Sequence, residues 1–387
     1  MPFLKKPQSH LILLAGMAVM IVILFWVVVP DRLKENQGTD FVNFYYPVAR
    51  NLVVGNGLTV DGVDLAIKFP PGHPLIIAGF LKGGDMLNLS HQFSLAFLSA
   101  LSFAISAILI YQIAILIWKP IEALIATMAW IVYPFALQLF AVGIDGRPLS
   151  EVTFIPVFLA SVLTVQKIYL YKSKRTKDYL LAGFLIGVAT LIRPYAFGVI
   201  FVFLIIVLGY TRRFGLRLVL ARSLLMLLVY VAILFPWEMV LYRHAGHFIW
   251  LSTVGEGNAS DGLTSFAITA KEYRQTISVP DDVMDLMERY IVRSDEMLSY
   301  TDVVRVVSEE AIEAPIATVK LFAIKALRSW YATDSGKYEL LTKSIQLLYL
   351  LPIMIGMVYA IRFKNSVRSL AVIIRVCFIY LKRVPSV

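Results

Sequence analysis

The chain has 387 residues, of which 59% are hydrophobic and 16% are charged, and its mean hydropathy is +0.75. A soluble domain cannot hide so large an apolar fraction, so the composition excludes a soluble globular protein and predicts an all-α polytopic membrane protein. The net charge of +10 does not indicate nucleic-acid binding, because the basic residues cluster at the ends of apolar segments, where they set orientation.

Eight apolar segments predict membrane-spanning helices, and a weaker ninth follows them. The first segment is too long for the apolar core of a signal peptide and lacks a small-residue cleavage site, so we expect it to remain as a span. Arg193 and Pro194 are expected to form a tight hairpin between the fifth and sixth segments. The segments are 11–30, 93–118, 123–144, 152–171, 179–192, 194–211, 218–237, 345–361 and the weaker 369–381.

Basic residues occur in alternate loops, and this alternation predicts the orientation of the chain. Cytoplasmic loops of membrane proteins are enriched in Lys and Arg. We therefore expect the N-terminus, with Lys5 and Lys6, to be cytoplasmic, and the active site to face the periplasm or exterior of a cytoplasmic (inner) membrane. The other basic loops are 172–178, 212–217 and 362–368. The predicted parts are a transmembrane module at 1–237 with an outward first loop at 31–92, an outward helical region at 238–340, and C-terminal spans at 341–387.

The first outward loop carries the most informative residues. Asp40 precedes a segment in which Phe41, Tyr45, Val48 and Leu52 share one helical face. Two roles for Asp40 stay open: an N-cap that accepts backbone N–H bonds, or a general base that takes a proton from an attacking hydroxyl.

Further candidates follow in the loops predicted to face outward. His73 lies in the turn FPPGHP, where it has either a structural role or a role in binding a substrate or metal. Asp145 and Glu151 lie near a span end and are either anchors or site residues. Asp40 and Asp145 share the predicted outward face, so a carboxylate pair or a divalent metal ion is an open alternative.

The region 238–340 holds most of the acidic residues and predicts water-exposed helices. Within it, 316–331 is amphipathic and ends in Trp330 and Tyr331. It is either an interfacial helix with an aromatic anchor or a place where Lys325 or Arg328 meets a lipid phosphate.

Several segments together resemble a known family. The segments GTDFVNFYYPVARNLVVGNG and PPGHPLIIA resemble the first outer loop of GT-C glycosyltransferases that use polyprenyl-phosphate sugars, in the bacterial branch related to protein O-mannosyltransferases and lipid A aminoarabinose transferases. The supporting segments are 147–160, 191–205 and 235–257. The chain departs from the family pattern at His73, where relatives tend to have Tyr, and at Val240 and Leu241, where they have Arg-Asn.

The resemblance implies a GT-C-like bundle of transmembrane helices with outward-facing loop helices, and an inverting sugar transfer to a lipid, glycan or protein acceptor. Asp40 matches the family's catalytic aspartate, which deprotonates the acceptor hydroxyl. Arg193 and, after a displacement from the family position, Arg243 are candidates to bind the donor phosphate, because a guanidinium forms charge-assisted bonds with phosphate. The other predicted substrate-binding residues are Tyr45, Tyr46, Arg50, His73, Asp145, Glu151, Tyr242, Lys325 and Arg328.

Two other classes of function are compatible with the sequence. A transporter or flippase for a lipid-linked substrate needs charged residues within its spans, and here such residues are scarce. A glycan polymerase or ligase would place acidic and basic groups in its outer loops in a similar way. The predicted partners are the lipid-linked sugar donor, its acceptor and membrane lipids, without nucleic acid.

Overall fold

A computed structural model describes residues 7–30, 40–171, 173, 175–211, 216–254, 260, 262–263, 279–297, 299–329, 331 and 339–362. All regular elements in these ranges are helices, apart from one isolated bridge between Thr59 and Leu65. The chain divides into two compact units, Met1–Ser252 and Thr253–Val387. The weak candidate span at 369–381, the loop residues 31–39 and Trp330 lie outside the described residues.

The first unit contains ten α-helices within its described residues. The unit also has a π-helical turn at Phe41–Tyr45 and a 3-10 turn at Pro194–Gly198. The helices are α1 Pro7–Val28, α2 Tyr46–Val54, α3 Gly72–Met86, α4 His91–Ile115, α5 Pro120–Ile131, α6 Pro134–Ile144, α7 Ser150–Leu170, α8 Thr176–Ile192, α9 Val199–Thr211 and α10 Leu216–Ala245.

Four of these helices are long and apolar enough to cross a membrane: α1, α4, α7 and α10. Helices α5 and α6 make a fifth if they are counted as one broken span. A helix needs about 20 apolar residues to cross a bilayer, and several such helices make a multi-pass membrane protein. The predicted all-α polytopic fold is confirmed.

The structure differs from the predicted spans in two places. The segment 123–144 is not one straight helix, because α5 and α6 are bent by 59° at a break before Pro134. A proline disfavours helical angles in the residue before it, which explains the break. The segments 179–192 and 194–211 form α8, with 17 residues, and α9, with 13 residues. Both helices are shorter than the about 20 residues of a typical membrane span.

The helices that matter for the site pack around α8. Helix α8 lies between α7 and α10, and the N-terminal half of the unit is organised around α4. Helices α2 and α3 form a separate apolar cluster with the start of α4, in which Phe41, Val48, Ile77 and Leu81 are buried. This cluster fixes the first loop as a folded element rather than an irregular connection.

The second unit has four α-helices in its described part. They are α11 Asp281–Val292, α12 Tyr300–Glu313, α13 Pro315–Arg328 and α14 Glu339–Arg362. The helix predicted within 316–331 is confirmed as α13. An apolar cluster holds α11, α12 and α13 together. Ion pairs from Arg293 to Glu296, Glu309 and Glu310 join α11 to α12.

Candidate active site

Asp40 stands at the start of the helical turn that follows the first apolar segment. Its backbone already has helical angles, φ −68° and ψ −36°, and its side chain accepts no capping hydrogen bond. The N-cap interpretation is therefore wrong, because a capping residue adopts a non-helical backbone and accepts a bond from the first turn. Lys68 Nζ lies 3.9 Å from Asp40 Oδ1, and the Asp40 side chain is 31% exposed. The carboxylate is thus accessible and lies beside a cation.

The aromatic face behind Asp40 is buried, as its spacing predicts. Phe41, Tyr45 and Val48 lie in the apolar cluster of α2 and α3, and Leu52 packs against it. The ring of Tyr45 meets the ring of His73 edge-on, with 4.8 Å between centroids. The π-helical turn is therefore held firmly against the start of α3, and this contact fixes where Asp40 stands.

Gly72 allows α3 to begin directly against the end of α8. A Cβ at this position would lie 2.6 Å from the backbone carbon and oxygen of Leu191 and 2.8 Å from the nitrogen of Ile192. No side chain fits in that space, so glycine is required by the close approach rather than by its backbone angles. This close approach brings His73, which follows Gly72, near Arg193, which follows Ile192.

His73 joins the first loop to the start of α7. It is fully buried, with Nε2 3.0 Å from the carbonyl oxygen of Pro148 and Nδ1 2.9 Å from the hydroxyl of Thr153. A carbonyl can only accept, so Nε2 carries the proton, and in the neutral ring Nδ1 accepts from the Thr153 hydroxyl, which also lies 3.1 Å from the carbonyl oxygen of Ser150. Burial lowers the pKa of His73 from 6.5 to about 4, so the ring is neutral at physiological pH. Both nitrogens are bonded within the protein, which favours the structural role.

Glu151 and Arg193 form an ion pair between the first turn of α7 and the end of α8. Their side chains are only 22% and 11% exposed, and the Arg193 guanidinium also lies over the ring of Tyr195 at 5.3 Å. The sequence predicted both residues as separate substrate ligands, and the structure brings them together. Arg193 does form the predicted turn with Pro194 between the two helices.

Tyr45 links this ion pair to Asp40. Burial raises the pKa of the Tyr45 hydroxyl well above 10.0, Arg193 opposes the rise, and Asp40 and Glu151 add to it. The hydroxyl therefore lies within electrostatic reach of all three charges and stays protonated at physiological pH. Asp40, Glu151 and Arg193, from three parts of the chain, thus lie within electrostatic range of Tyr45, and we call these four predicted residues the Asp40 cluster.

Tyr46 and Arg50 lie on the other side of α2. The hydroxyl of Tyr46 is 3.0 Å from Nδ1 of His91, and Nε2 of His91 is 3.0 Å from Asp85 Oδ1. Arg50 is exposed, and its guanidinium lies 5.9 Å from the centre of the Tyr46 ring. The Tyr46 hydroxyl is thus already bonded, and the accessible feature on this side is the Arg50 cation.

Asp145 lies at the C-terminal end of α6 and is half-buried. Among the described residues its carboxylate has no hydrogen bond or ion pair. No group of three or more His, Cys, Asp or Glu residues in the described ranges is arranged to hold a metal ion. A role for Asp145, alone or with Asp40, stays a prediction.

Tyr242 and Arg243 lie near the C-terminal end of α10 and are exposed. Leu241 is the residue of this turn that is fully buried. In the described part of the chain, neither Tyr242 nor Arg243 is paired with the Asp40 cluster. Their predicted role in binding substrate stays a prediction.

Lys325 and Arg328 lie on α13 in the second unit and make bonds within that unit. Lys325 Nζ donates to the carbonyl oxygen of Gly262 at 2.5 Å, and burial lowers the Lys325 pKa from 10.5 to about 8. Arg328 is buried and donates to both carboxylate oxygens of Glu339, at 2.6 and 3.0 Å. A lipid phosphate would have to compete with these partners, and the contact stays a prediction.

The comparison with family models gives one match. Residues 69–237 match the family described as dolichyl-phosphate-mannose-protein mannosyltransferase. This part of the chain is therefore similar to a family of glycosyltransferases. The match includes His73, Asp145, Glu151 and Arg193 of the predicted site, and it begins after Asp40. No curated protein and no solved structure matches the chain.

Two polar residues of the candidate site were missed by the sequence reasoning. Lys68 lies beside Asp40, and its position just before the FPPGHP turn was the signal that could have drawn attention to it. Thr153 binds His73, but a threonine within an apolar span gives no sign of a partner so distant in sequence.

Proposed function

We propose that the protein transfers a sugar from a polyprenyl-phosphate donor to a hydroxyl of a lipid, glycan or protein acceptor, at the outer face of the cytoplasmic membrane. The observation that best supports this proposal concerns Asp40. Its carboxylate is accessible, caps no helix and lies 3.9 Å from the ammonium group of Lys68. The family match supports the donor class, since the matched family is that of dolichyl-phosphate-mannose-protein mannosyltransferases.

In the proposed reaction Asp40 acts as the general base. The acceptor O–H gives its proton to the Asp40 carboxylate while its oxygen forms a bond to the anomeric carbon of the donor sugar. The bond between that carbon and the phosphate oxygen breaks, and polyprenyl phosphate leaves with the electron pair. Attack from the opposite side of the leaving group inverts the configuration at the anomeric carbon.

We assign the donor phosphate to Lys68 in preference to Arg193. Arg193 is only 11% exposed and its guanidinium is engaged by Glu151, which leaves little of it accessible to a phosphate. Lys68 is exposed, and its 3.9 Å separation from Asp40 is longer than a hydrogen bond, so its ammonium can still donate to a phosphate oxygen. Arg193, with Glu151 and Tyr45, then serves to position the first loop.

Replacement of Lys68 tests this assignment. Lys68→Met removes the cation beside Asp40 and should weaken the binding of dolichyl phosphate to the purified protein. Lys82→Met is the matched control, because Lys82 is an exposed lysine on α3 with no acidic partner among the described residues. Equal binding of dolichyl phosphate by both variants would contradict the assignment to Lys68 and favour Arg193 as the phosphate ligand.

Proteoliposomes separate the proposed activity from its alternatives. The purified protein is reconstituted with radiolabelled dolichyl-phosphate mannose and supplied with envelope extract from the host as acceptor. We expect label to pass to the acceptor as dolichyl phosphate is released. Label that crosses the bilayer still attached to its lipid would identify a flippase. Growth of labelled glycan without release of dolichyl monophosphate would identify a polymerase or ligase.

A further inference from the structure

The residues near the C-terminal end of α10 hold the segment that follows the helix. The indole Nε1 of Trp237 donates to the carbonyl oxygen of Leu251 at 2.8 Å, and the N–H of Leu251 donates to Glu238 Oε1 at 3.0 Å. Leu251 is fully buried with φ 59°, a backbone region that non-glycine residues seldom adopt. Two side chains of α10 therefore stabilise a strained conformation in the 246–252 segment.

Only one oxygen of Glu238 takes part in this attachment. The other, Oε2, is buried and has no hydrogen-bond partner. A buried carboxylate oxygen left without a donor is costly, and folded proteins keep few such atoms. Attachment of the segment needs a single acceptor, so it does not explain the second oxygen.

Aromatic rings lie in and against the segment that this carboxylate holds. Trp250, which precedes Leu251, is 39% exposed and contacts Phe197 edge-on with 4.7 Å between centroids. Phe197 belongs to the 3-10 turn that follows Arg193. The 246–252 segment is therefore packed against the turn that begins directly after Arg193.

We infer that donor binding uncovers Glu238 Oε2, which then accepts a hydrogen bond from a hydroxyl of the donor sugar while the exposed face of Trp250 packs against the sugar ring. A carboxylate suits a hydroxyl because the bond is charge-assisted, whereas it repels a phosphate. Ligand sites combine apolar and aromatic walls with a few placed polar groups, and this arrangement supplies both. The inference rests on the proposed function, since it assumes a lipid-linked sugar donor.

Binding of two lipids to the purified protein tests the inference. Dolichyl-phosphate mannose carries the sugar, and dolichyl phosphate lacks it. Glu238→Gln keeps an acceptor for the Leu251 N–H but replaces the other oxygen with a donor. We expect this variant to bind dolichyl-phosphate mannose about tenfold more weakly, as the loss of a charge-assisted hydrogen bond implies, and to bind dolichyl phosphate as wild type does.

Trp237→Phe is the matched control, because it removes the other bond to Leu251 and leaves Glu238 Oε2 in place. It should weaken the binding of dolichyl-phosphate mannose clearly less than Glu238→Gln does, because the bond from the Leu251 N–H to Glu238 still holds the segment that carries Trp250. A sugar-selective loss in Trp237→Phe as large as that in Glu238→Gln would show that Glu238 only holds the segment. Unchanged affinities in Glu238→Gln, with sugar transfer intact in wild type, would overturn the inference alone. Wild-type protein that binds neither lipid would overturn the proposed function as well.

Discussion

The imidazole of His73 and the hydroxyl of Thr153 are hydrogen-bonded at 2.9 Å although 80 positions separate them in the chain. This bond, with the one from His73 to Pro148, ties the start of α3 to the start of α7. A neutral, fully buried histidine therefore connects the first loop to the span that carries Glu151.

Stability should fall in mild acid because of His73. The unfolded chain takes up a proton near pH 6.5, whereas the folded protein does so only near pH 4. The contribution of neutral His73 to the free energy of unfolding is complete above pH 6.5 and is lost as the pH falls from 6.5 towards 4. The folded protein should therefore be less stable by about 2 kcal/mol at pH 5. The melting temperature measured at pH 7 and pH 5 should drop less in His73→Gln than in wild type. An equal drop in melting temperature in both proteins would mean that His73 is not responsible for the pH dependence of stability.

Gly72→Ala should destabilise the protein strongly. The added methyl would meet the backbone of Leu191 at 2.6 Å, and backbone atoms of a packed helix cannot move away cheaply. Gly79→Ala is the matched control on the same helix, because a Cβ there meets nothing within 4 Å. Alanine favours a helix over glycine by about 0.5–1 kcal/mol, so the control should be neutral or stabilising. Similar melting temperatures for the two variants would contradict the close approach.

Much of the fold follows from local sequence pattern, and the arrangement of the site does not. Hydrophobic length predicted α1, α4, α7 and α10, and helical spacing predicted the buried face of Phe41, Tyr45 and Val48. The break before Pro134 was not predicted, because the apolar run at 123–144 continues through the proline. The pairing of Glu151 with Arg193 depends on how α7 meets α8, and no local pattern contains that information.

The Glu151–Arg193 pair should show strong coupling. Arg193→Gln alone leaves a largely buried carboxylate without its cation, and such a change costs about 3–5 kcal/mol. Glu151→Gln alone leaves the cation in the same position. The double variant removes both charges and should lose clearly less stability than the sum of the two single variants. Additive losses, measured by thermal unfolding in detergent, would show that the two side chains act independently.

Orientation can be measured by cysteine labelling after the one native cysteine, Cys377, is replaced. Val63→Cys probes the first loop, since Val63 is 83% exposed. Lys177→Cys probes the loop at 172–178, where Lys177 is exposed. An impermeant reagent added outside intact cells should label position 63 and not position 177. Labelling of position 177 alone would reverse the predicted orientation and remove the first loop from the outer face.

Sugar transfer by Asp40→Asn protein tests the central claim most directly. Asp40 makes no capping bond, so asparagine should leave the helix start intact while losing the ability to take a proton. Loss of a general base costs about 10²–10⁴-fold in rate, and we expect a fall of that size in folded protein that still binds dolichyl-phosphate mannose. Asp64→Asn, an exposed carboxylate of the same loop, should keep wild-type activity. Full transfer activity in folded Asp40→Asn protein would contradict the assignment of Asp40 as the base.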